Sequence, residues 1–97
     1  MADDPEEARN LKQAVALRYQ RGQDAAPRVT ASGKGRIAEK ILETAREAGV
    51  PLLQDADLVH LLGKVPLGET VPPELYKAVA EVLAYVYRIN KAYGGRR

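Results

Sequence analysis

Two glycines ahead of a predicted helix form the arrangement in this sequence that most resembles a chemical site. The run Gly33-x-Gly35-x-x-Ala38 follows a predicted strand, and Asp55 follows it beside the next predicted strand. In a dinucleotide-binding turn, N–H groups at the helix start hold the pyrophosphate and a later acid binds a ribose hydroxyl. A small nucleotide-binding α/β domain that uses this turn is therefore the alternative function.

Three features of the same region favour an ordinary turn. The strand before Gly33 is half polar, whereas a buried parallel strand reads as a continuous apolar run. A chain of 97 residues has no room for a second nucleotide-binding half. Glycines before a helix are common turn residues, and no Gly-Lys-Ser or Gly-Lys-Thr completes a P-loop. We expect no bound cofactor.

The other reactive side chains are isolated or solvated. His60 is the single histidine and is predicted on the outer face of a short helix, while Ser32 has no base near it in sequence. Glu39, Glu43 and Glu47 recur every fourth residue among basic residues, which is typical of a solvated helix face. The chain has no cysteine. We expect neither catalysis nor a metal site.

Composition indicates one small domain in a reducing compartment. Hydrophobic residues make up 45% of the chain, but without Phe or Trp, so the core is expected to use Leu, Val, Ile, Ala and the five tyrosines. The net charge of +2 and the pI of about 9.0 are too mild to predict nucleic-acid binding. No signal peptide or membrane span is visible, so the protein is expected to be cytoplasmic.

The order of predicted elements indicates an α/β fold. A small mixed sheet of three to four short strands would be packed with about four helices in a single domain. Residues 14–19 and 28–32 alternate as an antiparallel pair, and residues 50–54 form a third strand parallel to the second. The predicted helices are a short one opening at Asp4, residues 36–48, a stretch from Asp55 or Asp57 to residue 62, and residues 73–90. The helix at residues 36–48 is predicted to face inward through Ile37, Ile41, Leu42 and Ala45 and to stop at Gly49. Residues 1–13 form a short helix or a partly disordered segment, residues 14–90 the domain, and residues 91–97 a basic tail.

The longest predicted helix, residues 73–90, carries two apolar stripes. One stripe holds Leu75, Val79, Val82, Val86 and Ile89, and the second holds Tyr76, Ala80, Leu83 and Tyr87. A helix this apolar is expected to be largely covered. It is short for a bilayer and is interrupted by charges, so the cover should be protein.

Four stretches, taken in order, resemble a known family. They are Ala14-Val15-Ala16-Leu17-Arg18-Tyr19, Asp24-Ala25-Ala26-Pro27-Arg28-Val29, Gly49-Val50-Pro51-Leu52 and the run from Val71-Pro72-Pro73-Glu74-Leu75-Tyr76 to Tyr87. From about residue 14 to residue 90 the chain resembles the cytoplasmic domain of the FlhB, YscU, EscU and SpaS family, the export-switch proteins of type III secretion. The resemblance implies a noncatalytic binding module at the cytoplasmic face of the flagellar or type III export apparatus. Its implied partners are export-gate subunits and export substrates.

The sequence departs from that family where the family cleaves itself. Family members cut within Asn-Pro-Thr-His, where the asparagine side chain attacks its own carbonyl. The matching positions here are Arg9, Asn10, Leu11 and Lys12, and no asparagine precedes a proline. Autocleavage is therefore expected to be absent. Full-length members also carry a membrane region before this domain, so the chain is expected to be a free-standing homologue, and Ser32 stands where the family usually has lysine.

The resemblance also implies a binding site. An apolar patch near the Ala-Pro turn is associated with substrate recognition in the family, and the matching positions are Ala26, Pro27, Ala80 and Leu83. From the residues alone, Ala26 and Pro27 belong to a small apolar turn, and Ala80 and Leu83 fit core positions.

Overall fold

The structure is a computed structural model that describes residues 12–20 and 22–94. Along this part of the chain, two strands precede three α-helices. The elements are β1 (Gln13–Arg18), β2 (Arg28–Lys34), α1 (Arg36–Glu47), α2 (Ala56–Leu62), a 3₁₀ turn (Pro73–Leu75) and α3 (Tyr76–Gly94). The short helix predicted to open at Asp4 lies outside the described residues.

Strands β1 and β2 form the predicted antiparallel pair, with a register shift between Ala16 and Leu17. The start of β2 is also bonded to a later loop. The Val29 amide donates to the Glu69 carbonyl at 3.0 Å, and the Gly68 amide donates to the Val29 carbonyl at 2.8 Å. Together with an isolated bridge between Arg28 and Thr70, these bonds attach the loop to the outer edge of β2.

The prediction of a third strand at residues 50–54 is wrong. Within the described residues the sheet has two strands, rather than three or four, and is antiparallel rather than mixed. The Val50 amide donates to the Ala45 carbonyl at 2.9 Å and so closes the end of α1. Pro51 has no amide hydrogen to donate. Two successive positions are therefore unable to donate to a ladder, and Val50, Leu52 and Leu53 remain 52%, 41% and 43% exposed.

Helix α1 packs on the strands through small and branched residues. Ala38 is completely buried, and the predicted inward residues Ile41, Leu42 and Ala45 are half-buried. The prediction for Ile37 is wrong, because its side chain is 60% exposed. The helix ends at Glu47, one residue before the predicted end, and the predicted stop Gly49 has a φ of 74°, which suits a residue without a Cβ.

The core lies between β1, α2 and α3. Asp55 caps α2 by accepting a hydrogen bond from the Leu58 amide at 3.1 Å. Leu58 and Leu62 then meet Val71 and Val79, which are each 1% exposed. Burying one such side chain contributes about 1.5–3 kcal/mol, so this cluster fixes α3 against the rest of the domain.

Helix α3 is covered on one stripe only, so the expectation that it is largely covered is wrong. Val79 is buried and Val82 is half-buried, whereas Tyr76 and Tyr87 on the second stripe are 47% and 54% exposed. The tyrosines whose burial the structure describes do not build the core, because Tyr19, Tyr76, Tyr85 and Tyr87 are all exposed. No helix in the described part of the chain combines the length and the apolar character that crossing a bilayer requires.

Candidate functional site

An open apolar groove of about 670 Å³ lies between α3 and the connection from β1 to β2. One side, the loop wall, is Tyr19 and Gln20, which follow β1, together with residues 22–27. The other, the helix wall, is formed by the exposed stripe of α3 and the neighbouring residues Val79, Ala84 and Val86. The residues that line the groove are Tyr19, Ala25, Ala26, Pro27, Tyr76, Val79, Ala80, Leu83, Ala84, Val86 and Tyr87.

The structure brings all four predicted site residues to this groove. Ala26 and Pro27 form part of the loop wall, and Ala80 and Leu83 form part of the helix wall. Ala26 is 5% exposed, so it is held in the structure rather than projecting as a free turn. Ala80 is exposed and Leu83 is half-buried. The interpretation that Ala80 and Leu83 are core residues is therefore wrong for Ala80 and only partly right for Leu83, which also packs at the margin of the core cluster.

The loop wall is folded by short-range hydrogen bonds. The Asp24 amide donates to the Gln20 carbonyl at 2.8 Å, and the Gln20 amide donates to the Asp24 carboxylate at 2.8 Å. Gly22 takes a φ of 82°, a region that residues with a Cβ rarely adopt. The turn therefore closes on itself and delivers Ala25, Ala26 and Pro27 to the groove.

Two arginines face each other across the base of this loop. Arg18 and Arg28 are direct partners in the register of β1 and β2, and like charges in that position destabilise a strand pair. The Asp24 carboxylate lies 3.9 Å from the Arg18 guanidinium and 3.9 Å from the Arg28 guanidinium. Its side chain is only 8% exposed, so one largely buried carboxylate offsets the repulsion between the two cations.

The helix wall is joined to the loop wall through the backbone. The Val71 amide donates to the Pro27 carbonyl at 2.8 Å, and Arg28 donates from its side chain to the Gly68 carbonyl at 2.9 Å. Pro72 then leads into the 3₁₀ turn, where the Leu75 amide donates to the Pro72 carbonyl at 2.9 Å, and α3 follows. The two walls are thus bonded together at one end of the groove.

The chemistry of the groove is that of apolar recognition. None of its lining residues is charged, and the tyrosines combine large apolar rings with a polar hydroxyl. Several alanines leave room for another chain to approach the backbone. Within the described residues, no group of His, Cys, Asp and Glu side chains could hold a metal ion, and His60 is exposed as predicted. A groove of this kind suits the capture of apolar side chains from another protein.

The glycine turn before α1 has a structural explanation instead. Gly33 lies within β2, where a Cβ would overlap the Ile37 side chain. The Gly35 amide already donates to the Lys12 carbonyl at 2.8 Å. Asp55, the acid assigned to a ribose in the nucleotide hypothesis, caps α2. The glycines and the acid of that hypothesis are all occupied in packing or capping.

Most positions matching the family's cleavage motif lie outside the described residues. These are Arg9, Asn10 and Leu11. Lys12 is described: it is exposed, directly precedes β1 and lies 4.0 Å from the Glu39 carboxylate. The two side chains form a surface ion pair.

Sequence reasoning missed the residues around the four predicted ones. Tyr19, Tyr76, Ala84, Val86 and Tyr87 also line the groove. For Tyr76 and Tyr87 the available signal was the second apolar stripe of the long helix, which the sequence interpretation assigned to protein contacts within the domain. The first stripe supplies the core contacts of α3, and the second forms much of the helix wall.

Comparison with known proteins places this geometry in a family. The model of the FlhB HrpN YscU SpaS family matches residues 11–86. The YlqH protein of Bacillus subtilis is 37% identical over 87 residues, which cover 90% of this chain and 94% of that protein. FlhB, the flagellar biosynthetic protein of Aquifex aeolicus, is 43% identical over 82 residues, which cover 82% of this chain but only 23% of FlhB.

A solved structure agrees in fold as well as in sequence. The crystal structure of the cytoplasmic domain of FlhB from Shewanella putrefaciens superimposes with a TM-score of 0.79 at 36% identity, over 87% of this chain and 66% of that one. The chain spans about a quarter of full-length FlhB and nearly all of YlqH. The family match extends through the loop wall and into α3, so all lining residues of the groove except Tyr87 lie within the matched region. On sequence and fold together, the chain belongs to the FlhB HrpN YscU SpaS family.

Proposed function

We propose that this protein is a noncatalytic binding module of the flagellar or type III export apparatus that helps to select export substrates. The single observation that carries the proposal is that Ala26, Pro27, Ala80 and Leu83 line one uncharged groove. These were the positions that the family resemblance associated with substrate recognition. Family membership supports the export role, and the groove supports binding as its means.

The groove has the physical properties that a protein partner requires. Exposed apolar surface that is concave and continuous is characteristic of interaction sites, whereas single exposed apolar residues are ordinary. Its rim carries Tyr19, Tyr76 and Tyr87, and tyrosine is enriched among residues that dominate binding energy. The partner would insert apolar side chains between the loop wall and the helix wall.

The proposed action takes place in the cytoplasm, at the inner face of the export apparatus. The Shewanella structure is of a cytoplasmic domain, and the chain aligns with about a quarter of a longer FlhB protein. We propose that the chain can take the place of the C-terminal part of an FlhB protein that lacks it. Export-gate subunits and export substrates would be its partners.

Self-cleavage is not part of the proposed function. The reaction needs an asparagine side chain that attacks its own carbonyl and a proline nitrogen that leaves. Asn10 is followed by leucine, and Lys12 stands in the position of the histidine. Purified protein incubated at neutral pH should remain one chain by intact-mass spectrometry. A discrete cut between Arg9 and Lys12 would contradict this prediction.

The export role can be tested in Escherichia coli cells whose own FlhB is truncated before its C-terminal part. We expect the chain to restore spreading on soft agar and the tagged chain to co-purify with flagellar export proteins. Ala80→Asp, which places a charge in the groove, should abolish both. Ala56→Asp, the same change at an exposed position outside the groove, is the matched control and should abolish neither.

The results distinguish a failure of the export role from a failure of the groove as the binding surface. Circular dichroism and urea unfolding establish that both variants are folded. No restoration of motility and no co-purification with the unmodified chain, under conditions where full-length FlhB gives both, would overturn the export role. Equal activity of a folded Ala80→Asp variant would show that the groove is not the binding surface.

A further inference from the structure

We infer that Asp24 and Arg28 are positioning residues that set the width of the groove. Neither lines the groove, and nothing in the chemistry of apolar capture requires a charged pair. Their contacts nevertheless link the two walls. The inference rests on the proposed function, in which the groove is the binding surface, and concerns what holds that surface in shape.

Both oxygens of the Asp24 carboxylate have neighbours in the structure. One oxygen accepts the Gln20 amide hydrogen at 2.8 Å, and the other lies 3.9 Å from Arg18 and from Arg28. With its side chain 8% exposed, the carboxylate is far less solvated than an ordinary surface acid. Asp24 therefore holds the loop wall against the ends of both strands. The Arg18 and Arg28 side chains are 55% and 45% exposed, so salt can still screen their attraction to the carboxylate.

The Arg28 guanidinium contacts both the loop wall and the segment before α3. Its guanidinium lies 3.9 Å from Asp24 through Nε and donates to the Gly68 carbonyl at 2.9 Å through Nη1. A planar guanidinium can address two acceptors at a fixed angle, whereas a lysine ammonium cannot reproduce that fork. Arg28 thus connects the loop wall to the segment that leads into the helix wall.

The contacts of Asp24 and Arg28 lie next to the residues that line the groove. Asp24 precedes the lining residues Ala25 to Pro27, and the Pro27 carbonyl accepts the Val71 amide hydrogen at 2.8 Å. The backbone bond fixes the inner end of the loop wall, while the contacts of Asp24 fix the preceding turn. Loss of those contacts would leave the inner end attached and free the remainder of the wall to move away from α3.

The test measures the width directly, without any partner. The chain has no cysteine, so Gln23→Cys and Glu81→Cys introduce one spin label on each wall, at exposed positions that do not line the groove. Double electron–electron resonance then gives the distribution of distances between the labels. We expect one narrow distribution in the parent protein.

Two variants weaken the link by different routes. Asp24→Asn retains an acceptor for the Gln20 amide but removes the charge, and Arg28→Lys retains the charge but removes the fork. We expect each to broaden the distribution roughly twofold, because the turn loses its attachment while the core is untouched. The matched control is Glu39→Gln, which removes an exposed pair of similar length, 4.0 Å to Lys12, and should leave the distribution unchanged.

The response of the label distances to salt distinguishes loss of the charged link from a general loss of stability. In about 1 M sodium chloride, where the Debye length is about 3 Å, the parent distribution should broaden toward that of Asp24→Asn. The Asp24→Asn variant should respond little, since its charge is already absent. Urea unfolding of each protein separates a local change of the wall from global destabilisation.

An unchanged distribution in folded Asp24→Asn and in folded Arg28→Lys would overturn the inference. If Asp24→Asn does not fold, Arg28→Lys decides alone. If a variant with a broadened label distance still restores motility in the cells described above, that result would contradict the groove as the binding surface. It would not contradict the role of Asp24 and Arg28 in setting the width of the groove. The two proposals therefore fail in different experiments.

Discussion

The loop wall, which includes residues 22–27, and the segment at residues 50–54 both expose apolar side chains, yet only the loop wall builds a site. In the loop wall, backbone bonds, a buried carboxylate and a link to Val71 fix the chain opposite a helix. In the later segment, Leu52 and Leu53 are exposed and do not line the groove. Exposure of apolar residues is common to both regions, and the difference lies in bracing and in concave shape.

The largest expected contrast between these regions is functional. Leu83→Asp places a charge in the groove and should abolish restoration of motility, whereas Leu53→Asp makes the same change at a 43% exposed position and should not. The measurement is spreading on soft agar, with circular dichroism for folding, because Leu83 also borders the core. Equal loss of function in both folded variants would remove the distinction drawn between the two regions.

The next contrast is in stability. Val29 is completely buried and Val50 is 52% exposed, so the same truncation should have unequal effects. We expect Val29→Ala to lower the free energy of unfolding by about 2 kcal/mol and Val50→Ala to change it by less than about 0.5 kcal/mol. Urea unfolding measures both. Similar losses would mean that the later segment is packed rather than open.

A smaller effect on stability is expected at Asp55, which directly follows the segment at residues 50–54. Asp55 accepts the Leu58 amide hydrogen and caps α2, so Asp55→Ala should cost about 1 kcal/mol. Asp57 is an exposed acid in the first turn, and Asp57→Ala should cost about 0.5 kcal/mol or less. Thermal unfolding of the Asp55→Ala and Asp57→Ala variants measures both losses of stability. A larger loss at Asp57 would contradict the assignment of Asp55 as the cap.

Amide exchange should show the contrast at the level of single residues. The amides of Val29 and Val71 are bonded to Glu69 and Pro27 and are expected to exchange slowly. Leu52 and Leu53 follow a proline in an extended segment outside the sheet, and their amides should exchange at rates close to those of an unfolded chain. Protection at Leu52 and Leu53 would indicate pairing of that segment in solution.

Local signals predicted much of this fold. Alternation around Val15 and Leu17 predicted β1, a short connection predicted the antiparallel pair, and Asp55 was one of two predicted caps for α2. These features depend on residues near each other in sequence, where spacing and capping chemistry apply directly. Family resemblance supplied the site residues, which the structure brings together.

The errors arose where a distant contact decides the outcome. Residues 50–54 have the composition of a strand, but the Val50 amide is used to close α1 and Pro51 has none. Helix α3 has two apolar stripes, and only the available core surface determines which stripe is covered. Asp24 is an ordinary loop acid in the sequence and becomes the partner of two arginines only when β1 and β2 pair.

The bond between the Arg28 side chain and the Gly68 carbonyl joins positions 40 residues apart, and it has a consequence for the order of folding. The β1–β2 hairpin and each helix require only local contacts, whereas joining the groove walls requires the closure of a long loop, which is entropically slower. A chain that has formed its hairpin and α1 therefore still lacks a groove. Any partner that binds there selects finished copies of this domain over those still folding.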